Sequence, residues 1–526
     1  MAKVLVSDPI DKSGIEILSQ VAQVDFQTKI PPEELVSIIS EYDALMVRSG
    51  TQVTQEVIEA AGNLKIIGRA GVGVDNIDVK AATRKGIVVV NSPEGNTIAA
   101  AEHAIAMMLA LSRHIPDANH SLKNKEWNRK RFMGTEVYKK TLGVVGLGKI
   151  GSHVAKVARA MGMKIFAYDP FISKERADQL GCSLVDLDLL FSKADYITLH
   201  VPKTAETKHL IGTESLSKMK PNVRIINCSR GGIVDESALV EALKEGKIAG
   251  AALDVFEREP LEESKLQELG PEVILTPHLG ASTAEAQVNV AIDVAEQIRD
   301  VILGLPARSA VNIPGLNPDV MEQLRPYLAL AETLGNLVGQ LAGGRIESLN
   351  VTLEGELASI DSQPLVVAAI KGLLSQALRE RVNYVNARIE AEERGIRVIE
   401  TRDADRGDYS GSLHLEAIGS LGKHSVTGAL LGNKEIRITN LNEFPINVPP
   451  SNHMLFTLHR DMPGIIGKIG SLLGSFNVNI ASMQVGRKIV RGEAVMVLSL
   501  DDPLPDGIVK EVTKVDGISD AYTVTL

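Results

Sequence analysis

The run Thr141-Leu-Gly-Val-Val-Gly-Leu-Gly-Lys-Ile-Gly151 sets Gly146, Gly148 and Gly151 in a GxGxxG spacing. It directly follows an apolar β-branched run and opens a helical pattern, the context in which this spacing is informative. Gly146 permits a tight turn, Gly148 lets the backbone approach a pyrophosphate, Gly151 allows close helix packing, and the helix N-terminus favours negative charge. The next β-like run ends at Tyr168-Asp169-Pro170, 18 positions after Gly151. Asp169 would accept hydrogen bonds from both adenosine ribose hydroxyls and repel a 2′-phosphate, selecting NAD over NADP. Its other reading is a cap on the turn before Pro170.

Three more residues suit the chemistry such a cofactor serves. Arg230 follows the run Arg224 to Asn227, Glu259 follows Gly250 to Leu253, and His278 follows Val273 to Leu275. Ligands of a doubly wound sheet bind outside the carboxyl ends of its strands, so all three should reach one rim. Hydride transfer from a secondary alcohol needs a base for the hydroxyl proton and a cation near the developing carbonyl and a substrate carboxylate. His278 and Arg230 supply these, and Glu259 would orient the imidazole and stabilise its protonated form. Taken singly, each has an ordinary reading: a satisfied loop histidine, a solvated glutamate, a surface ion-pair arginine. Consecutive strand ends beside a nucleotide fingerprint favour the joint one.

The segments NCSRGGIVDE, AALDVFEREP and TPHLGAST, with VVGLGKIG, resemble the D-isomer-specific 2-hydroxyacid dehydrogenase family over residues 1–313. The resemblance implies Arg230 as the substrate-binding arginine, Glu259 as partner of the base and His278 as proton acceptor or donor. It also places Lys149 and Ile150 at the NAD pyrophosphate, Asp169 at the ribose, and Cys228, Ser229, Arg230, Asp254 and the turn His278, Leu279, Gly280, Ala281 near the nicotinamide. MVRSGT, GRAGVGVDNID and NSPEGNT are similar to segments of the 3-phosphoglycerate dehydrogenases in that family. Arg48, Ser49, Val72 and Gly73 would hold the acid and its phosphate, since exposed amides and a guanidinium suit oxyanions. Asn96 would reach the carboxylate. Arg69 would neutralise phosphate or pair with a neighbouring acid. Arg129 is either a solvated charge or a contribution across a subunit boundary.

The positioning elements follow the hydrophobic pattern. Short β-branched runs at Val4 to Val6, Ala44 to Val47, Lys65 to Ile67 and Ile87 to Val90 alternate with helical patterns such as Glu33 to Ser40. A second series runs from Leu142 to Leu275 with the rhythm of a six- or seven-stranded sheet. The apolar helix Ile98 to Leu111 and the long helix Ala284 to Leu303 cross between the two units. The expected fold is α/β: a Rossmann-type nucleotide domain (96–284) inserted in a second α/β substrate domain (1–95 and 285–313). An α+β intervening domain (318–450) follows, with helices Val320 to Leu341, Leu365 to Leu378 and Val382 to Arg394. Strands are expected at Ser412 to Ile418, Ser425 to Leu430 and Ile436 to Thr439. The linkers are Asn312 to Pro318 and Asn447 to Asn452. The terminal segment, 453–526, is ferredoxin-like, with order strand, helix, strand, strand, helix, strand.

Residues 318–450 resemble the intervening domain of long bacterial-type phosphoglycerate dehydrogenases, and 453–526 look like an ACT domain. That resemblance implies control by L-serine through His459, Asp461 and, from a neighbouring copy, Asn479, where Asp461 either holds the ligand ammonium or caps the following helix. It also implies a homodimer or homotetramer, and a first step of serine biosynthesis acting on 3-phosphoglycerate. The rival readings are a glyoxylate or hydroxypyruvate reductase and an NAD-sensing corepressor.

The bulk numbers agree. The 526 residues are 44% hydrophobic and 23% charged, with 3% aromatic residues and a net charge of −10. That is globular composition with aliphatic cores. The acidic balance and the lack of a basic, aromatic-interleaved stripe argue against nucleic acid. Cys182 and Cys228 lie far apart, giving neither a disulfide framework nor metal-ligand spacing, and a reducing cytoplasm is expected. No apolar run has the length of a targeting core or membrane span.

Overall fold

The computed structural model describes residues 1–305, 307–313, 318–405, 409–432, 435–505 and 507–526. The first sheet is parallel: β1 (Ala2–Val6), β2 (Ala22–Phe26), β3 (Ala44–Val47), β4 (Ile66–Arg69) and β5 (Val88–Asn91), in the order β2-β1-β3-β4-β5. Its central strand β3 is buried at every residue, as expected for a sheet covered on both faces. The helix Ala284–Ile302 returns to this sheet and buries Val290, Val294 and Ile298 against Val4, Met46 and Ile66. Gly68 lets it approach, since a Cβ there would lie 2.5 Å from Val294.

The second sheet holds β6 (Thr141–Val145), β7 (Lys164–Tyr168), β8 (Ser183–Leu184), β9 (Tyr196–Leu199), β10 (Arg224–Asn227), β11 (Gly250–Leu253) and β12 (Val273–Leu275). All seven are parallel, in the order β12-β11-β10-β9-β6-β7-β8. The strand order reverses between β6 and β9, creating the crevice in which such folds bind nucleotides. Helix Thr97–Arg113 packs Ala104, Met107, Met108 and Leu111 onto this sheet.

The third sheet is mixed: β13 (Ile346–Gly355), β14 (Arg397–Asp403), β15 (Gly411–Gly419), β16 (Gly422–Leu431), β17 (Glu435–Leu441) and β18 (Phe444–Val448), in the order β14-β13-β15-β16-β17-β18. The helices Pro318–Ala342 and Gln363–Leu378 cover it, and Gly335 and Gly372 bring their backbones into contact. The fourth sheet, β19 (His453–Arg460), β20 (Ile480–Arg487), β21 (Glu493–Leu500) and β22 (Ile518–Thr525), is antiparallel in the order β20-β21-β19-β22, with helices Ile465–Ser475 and Ile508–Thr513 between strands.

Several expectations need correction. Val382 to Arg394 is not one helix. Asn383 accepts hydrogen bonds from the amides of Val385 and Asn386, forming a side-chain turn, and the helix starts only at Ala387. Asn447 and Val448 belong to strand β18, not to a linker. Asn312 is likewise no free linker residue: its side chain bonds the Val89 amide and the Ile87 carbonyl at the edge of the first sheet. Residues 314–317 of that expected linker lie outside the described residues. The last two sheets also share a core, with Met454, Phe456, Val495 and Val497 packed among Leu334, Val351 and Leu415.

Candidate active site

β6 delivers the chain to Gly146, which turns at φ 93° and donates its amide to the Tyr168 carbonyl at 2.8 Å. A Cβ at Gly151 would sit 1.9 Å from the Gly146 oxygen, so these two backbones touch. Gly148, at the start of helix Lys149–Ala160, faces open space: a Cβ there would meet nothing within 4 Å. Tight on one side and open on the other, the loop fits a pyrophosphate seated on helix amides. Asp169 anchors it, accepting from the Leu147 amide at 2.8 Å and the Phe171 amide at 2.9 Å. The turn-capping contact therefore coexists with a contact to the glycine loop. Lys149 pairs with Glu94 of the interdomain connection, and Ile150 packs against the core beneath the loop.

The strand ends β10, β11 and β12 bring Arg230, Glu259 and His278 to one cleft. His278 has φ 55°, and its turn is built around the fully buried Asp254. That carboxylate accepts from the Leu279 amide (2.7 Å), the Gly280 amide (2.8 Å) and the Thr276 hydroxyl (2.6 Å), with His103 Nε2 at 3.2 Å. Burial pushes the Asp254 carboxyl up, but the bonds from His103, Thr276 and Leu279 outweigh it and hold the group below the usual carboxylate range. His278 Nδ1 lies 2.7 Å from Glu259 Oε2, while Glu259 Oε1 accepts the Phe256 amide at 3.0 Å. Burial again raises the Glu259 carboxyl, and the His278 and Phe256 bonds more than reverse it. Cys228 is held protonated, because burial and then the Asp254 charge push its thiol up.

The arginine and glutamate loops are fastened together. Glu236 accepts the Glu257 amide at 2.6 Å, and Glu257 accepts the Glu236 amide at 3.2 Å. Gly231 is required there, since a Cβ would lie 1.6 Å from the Phe256 oxygen.

The facing wall comes from the first sheet. Arg48, Ser49, Val72, Gly73 and Asn96 line the same cleft of about 700 Å³, with Arg69 and Asp75. Asp8 accepts the amides of Arg48 (2.6 Å) and Thr51 (3.1 Å), and Asn76 donates to the carbonyls of Arg48 (2.8 Å) and Thr51 (2.7 Å). Burial, followed by the neighbouring Arg230 charge, pushes the Arg69 guanidinium down to about 10. Burial also lowers Arg48. Asn96 Oδ1 is buried without a hydrogen-bond partner among the described residues, a polar atom left for a ligand. Arg129 lies on an exposed single turn. Asp8, Asp75, Asn76 and His103 were not singled out from sequence. Asp75 and Asn76 lie in GRAGVGVDNID, and nothing in that string shows that one faces Arg230 and the other ties two loops.

At the C-terminal end, His459 is 1% exposed and both its ring nitrogens lack partners among the described residues. Asp461 does not cap the helix, whose N-cap is Gly464 without a side-chain bond; it binds Arg487 at 2.9 Å and the Arg491 amide at 3.0 Å. Asn479 bonds Asp501 at 2.5 Å.

A doubly wound sheet with this glycine loop, facing an acid-binding cleft, defines an NAD-dependent dehydrogenase of small hydroxy acids. Comparison with known proteins narrows the class. Residues 105–280 match the family model of the D-isomer specific 2-hydroxyacid dehydrogenase NAD binding domain, 323–442 that of the D-3-phosphoglycerate dehydrogenase intervening domain, and 453–517 that of the ACT domain. The chain is 76% identical to a D-3-phosphoglycerate dehydrogenase of Synechocystis, over 100% of this chain and 95% of that one. It is 47% identical to the Methanocaldococcus jannaschii D-3-phosphoglycerate dehydrogenase over the full length of both. A D-lactate dehydrogenase structure from Aquifex aeolicus, complexed with NAD and lactic acid, is 30% identical (TM-score 0.53), covering 57% of this chain and 96% of that one. A glyoxylate reductase structure from Paecilomyces likewise covers 59% of this chain and 98% of its own, at 31% identity and TM-score 0.55. The chain belongs to the D-3-phosphoglycerate dehydrogenase family.

Proposed function

We infer that the chain oxidises 3-phospho-D-glycerate to 3-phosphohydroxypyruvate with NAD, the opening step of the phosphorylated route to L-serine. The observation that carries this reading is the His278–Glu259 pair, 2.7 Å apart, in a cleft whose other wall presents Arg48 and Arg69. Bound at the Gly146–Gly151 loop, NAD supplies the hydride acceptor. The Nδ1–H of His278 donates a hydrogen bond to Glu259 and keeps its proton, which leaves the Nε2 lone pair to take the C2 hydroxyl proton as the carbonyl forms. Glu259 stabilises the resulting imidazolium. Arg230 faces the developing carbonyl oxygen and the substrate carboxylate. Arg48, Ser49 and the Val72 and Gly73 amides hold the acid and its phosphate, and the free Asn96 oxygen meets a donor of the ligand. Replacing His278 with Ala should collapse NADH formation from 3-phospho-D-glycerate by about 10²- to 10⁴-fold, the usual worth of a general base, with NAD affinity nearly intact. Near-normal turnover in that variant would remove His278 from the reaction.

The domain limits expected from sequence, 1–95 with 285–313, 96–284, 318–450 and 453–526, are consistent with the four sheets. The ACT segment is read as an L-serine site built on buried, unpartnered His459 with Asp461 beside it. Asn479 of the same chain sits at the opposite end of the sheet, where Ile480 and His453 both pair with Leu500 while His459 pairs with Ala494, so the Asn479 that meets this ligand would come from a neighbouring copy. Asp461 would have to leave Arg487 to meet an ammonium. Steady-state rates of the full chain should fall with L-serine and not with D-serine; rates unchanged at roughly millimolar L-serine would leave an assembly module, because an effector with equal affinity for two states shifts neither. A homodimer or homotetramer is expected, supported by Trp127 and Met133, 79% and 80% exposed on the nucleotide domain. A cytoplasmic location fits two free thiols, and no helix among the described residues is long and apolar enough to cross a membrane.

A further inference from the structure

Resting on the reading just given, we propose that Asp75 is a positioning residue that reaches across the cleft to aim Arg230 and to balance the cluster of arginines around it. Arg230 is committed on two of its three nitrogens. Its Nε donates to Asp75 Oδ2 at 2.9 Å, and one terminal nitrogen donates to its neighbour's carbonyl, Ser229 O, at 2.8 Å. The remaining nitrogen is aimed at the Gly73 backbone, so closely that a Cβ there would lie 1.9 Å away. A planar guanidinium held at two of its nitrogens presents the third in one direction. That direction is the wall carrying the Val72 and Gly73 amides.

The carboxylate itself stands on a rigid turn. Its neighbour Asn76 is bonded to Arg48 O and Thr51 O, the Val53 amide donates to Asn76 O at 2.8 Å, and the Asp78 amide donates to Val53 O at 2.9 Å. Asp75 therefore places Arg230, which belongs to the nucleotide-binding unit, relative to the loops of the other unit.

The second role is electrostatic. Arg48, Arg69 and Arg230 line one cleft, and of its two carboxylates Glu259 is committed to His278. Asp75 is left as the counter-charge between Arg230 and Arg69, whose mutual repulsion helps push Arg69 down while Asp75 opposes it. Removing the charge leaves the cleft more attractive to an anion but leaves Arg230 unaimed. The two effects pull KM and kcat apart, which a general loosening of the fold would not do.

The test compares wild type, Asp75→Asn and Asp75→Ala in initial-rate measurements with 3-phospho-D-glycerate and NAD, alongside NAD titration and thermal unfolding. The Asp75 side chain is 72% exposed, so both variants should fold with an unchanged melting temperature and bind NAD normally. Asp75→Ala should lose about 10- to 100-fold in kcat, the range set by one hydrogen bond to a charged group, with KM unchanged or lowered. Asp75→Asn keeps an acceptor for Nε and should recover part of that kcat while keeping the lowered KM. An unchanged kcat in Asp75→Ala, or a raised KM with kcat intact, overturns the proposal. Absence of wild-type turnover on this substrate would instead overturn the functional reading beneath it.

Discussion

His278 Nδ1 and Glu259 Oε2 stand 2.7 Å apart although they come from different strand ends, and the Phe256 amide holds the other carboxylate oxygen at 3.0 Å. The carboxylate is thus fixed in place and kept ionised below its ordinary range by those two bonds, against the opposing effect of burial. Its charge stands where an imidazolium would form as His278 takes the hydroxyl proton. Glu259→Gln should therefore lower kcat by about 10- to 100-fold, through loss of a charge-assisted bond, with NAD binding unchanged. Initial rates and NAD titration check this, and an unchanged kcat would show that the pair is not coupled in catalysis.

The glycine loop separates packing from ligand approach. Gly151→Ala places a Cβ 1.9 Å from a backbone oxygen, whereas Gly148→Ala places one in open space. The first should destabilise the fold by about 1–3 kcal/mol, as overpacking does, and weaken NAD binding with it. The second should leave denaturant unfolding unchanged and still weaken NAD. Chemical denaturation and NAD titration of both variants check this, and equal destabilisation by the two would contradict the assigned geometry.

Asp254 holds the turn that carries His278. Its removal leaves the Leu279 and Gly280 amides without their acceptor. Asp254→Ala should cost about 1–3 kcal/mol for each buried donor left unsatisfied, less where water enters. Because the folded carboxyl lies below its unfolded value, the contribution from ionisation is complete above the unfolded pKa and is lost as pH falls through the folded one. The stability gap between wild type and variant should be flat from about pH 5 to pH 8 and narrow only in strong acid. A gap that closes near neutrality would contradict the assignment.

Much of this was legible in the sequence because parallel strands buried on both faces read as short apolar runs. The runs Arg224 to Asn227, Gly250 to Leu253 and Val273 to Leu275 coincide with β10, β11 and β12, and the residues after them are the ones gathered at the cleft. Edge strands were hidden. β2 reads Ala-Gln-Val-Asp-Phe, half polar, β8 has two residues, and β14 is mostly charged or polar along its length. The sequence reads Asn447 and Val448, the last two residues of β18, as linker because Pro449 and Pro450 follow them; Pro445 within the strand is tolerated because β18 lies at the sheet's edge. Asp8, Asp75 and Asn76 stayed invisible because their roles come from convergence: Asp8 meets Arg48 from 40 positions away, and Asp75 meets Arg230 from 155.

The central claim is that this cleft oxidises a phosphorylated hydroxy acid. Its most direct test is the rate of NADH appearance at alkaline pH, with a trap for the keto acid, using 3-phospho-D-glycerate, D-glycerate and D-lactate in turn. Arg48 and Arg69 line the cleft beyond the Arg230 assigned to the carboxylate, which predicts that the phosphorylated acid is used with a kcat/KM at least about 100-fold above either unphosphorylated acid, since a hydrogen-bonded charge is worth roughly 1.5–3 kcal/mol. Equal or better turnover of D-glycerate or D-lactate would contradict the account.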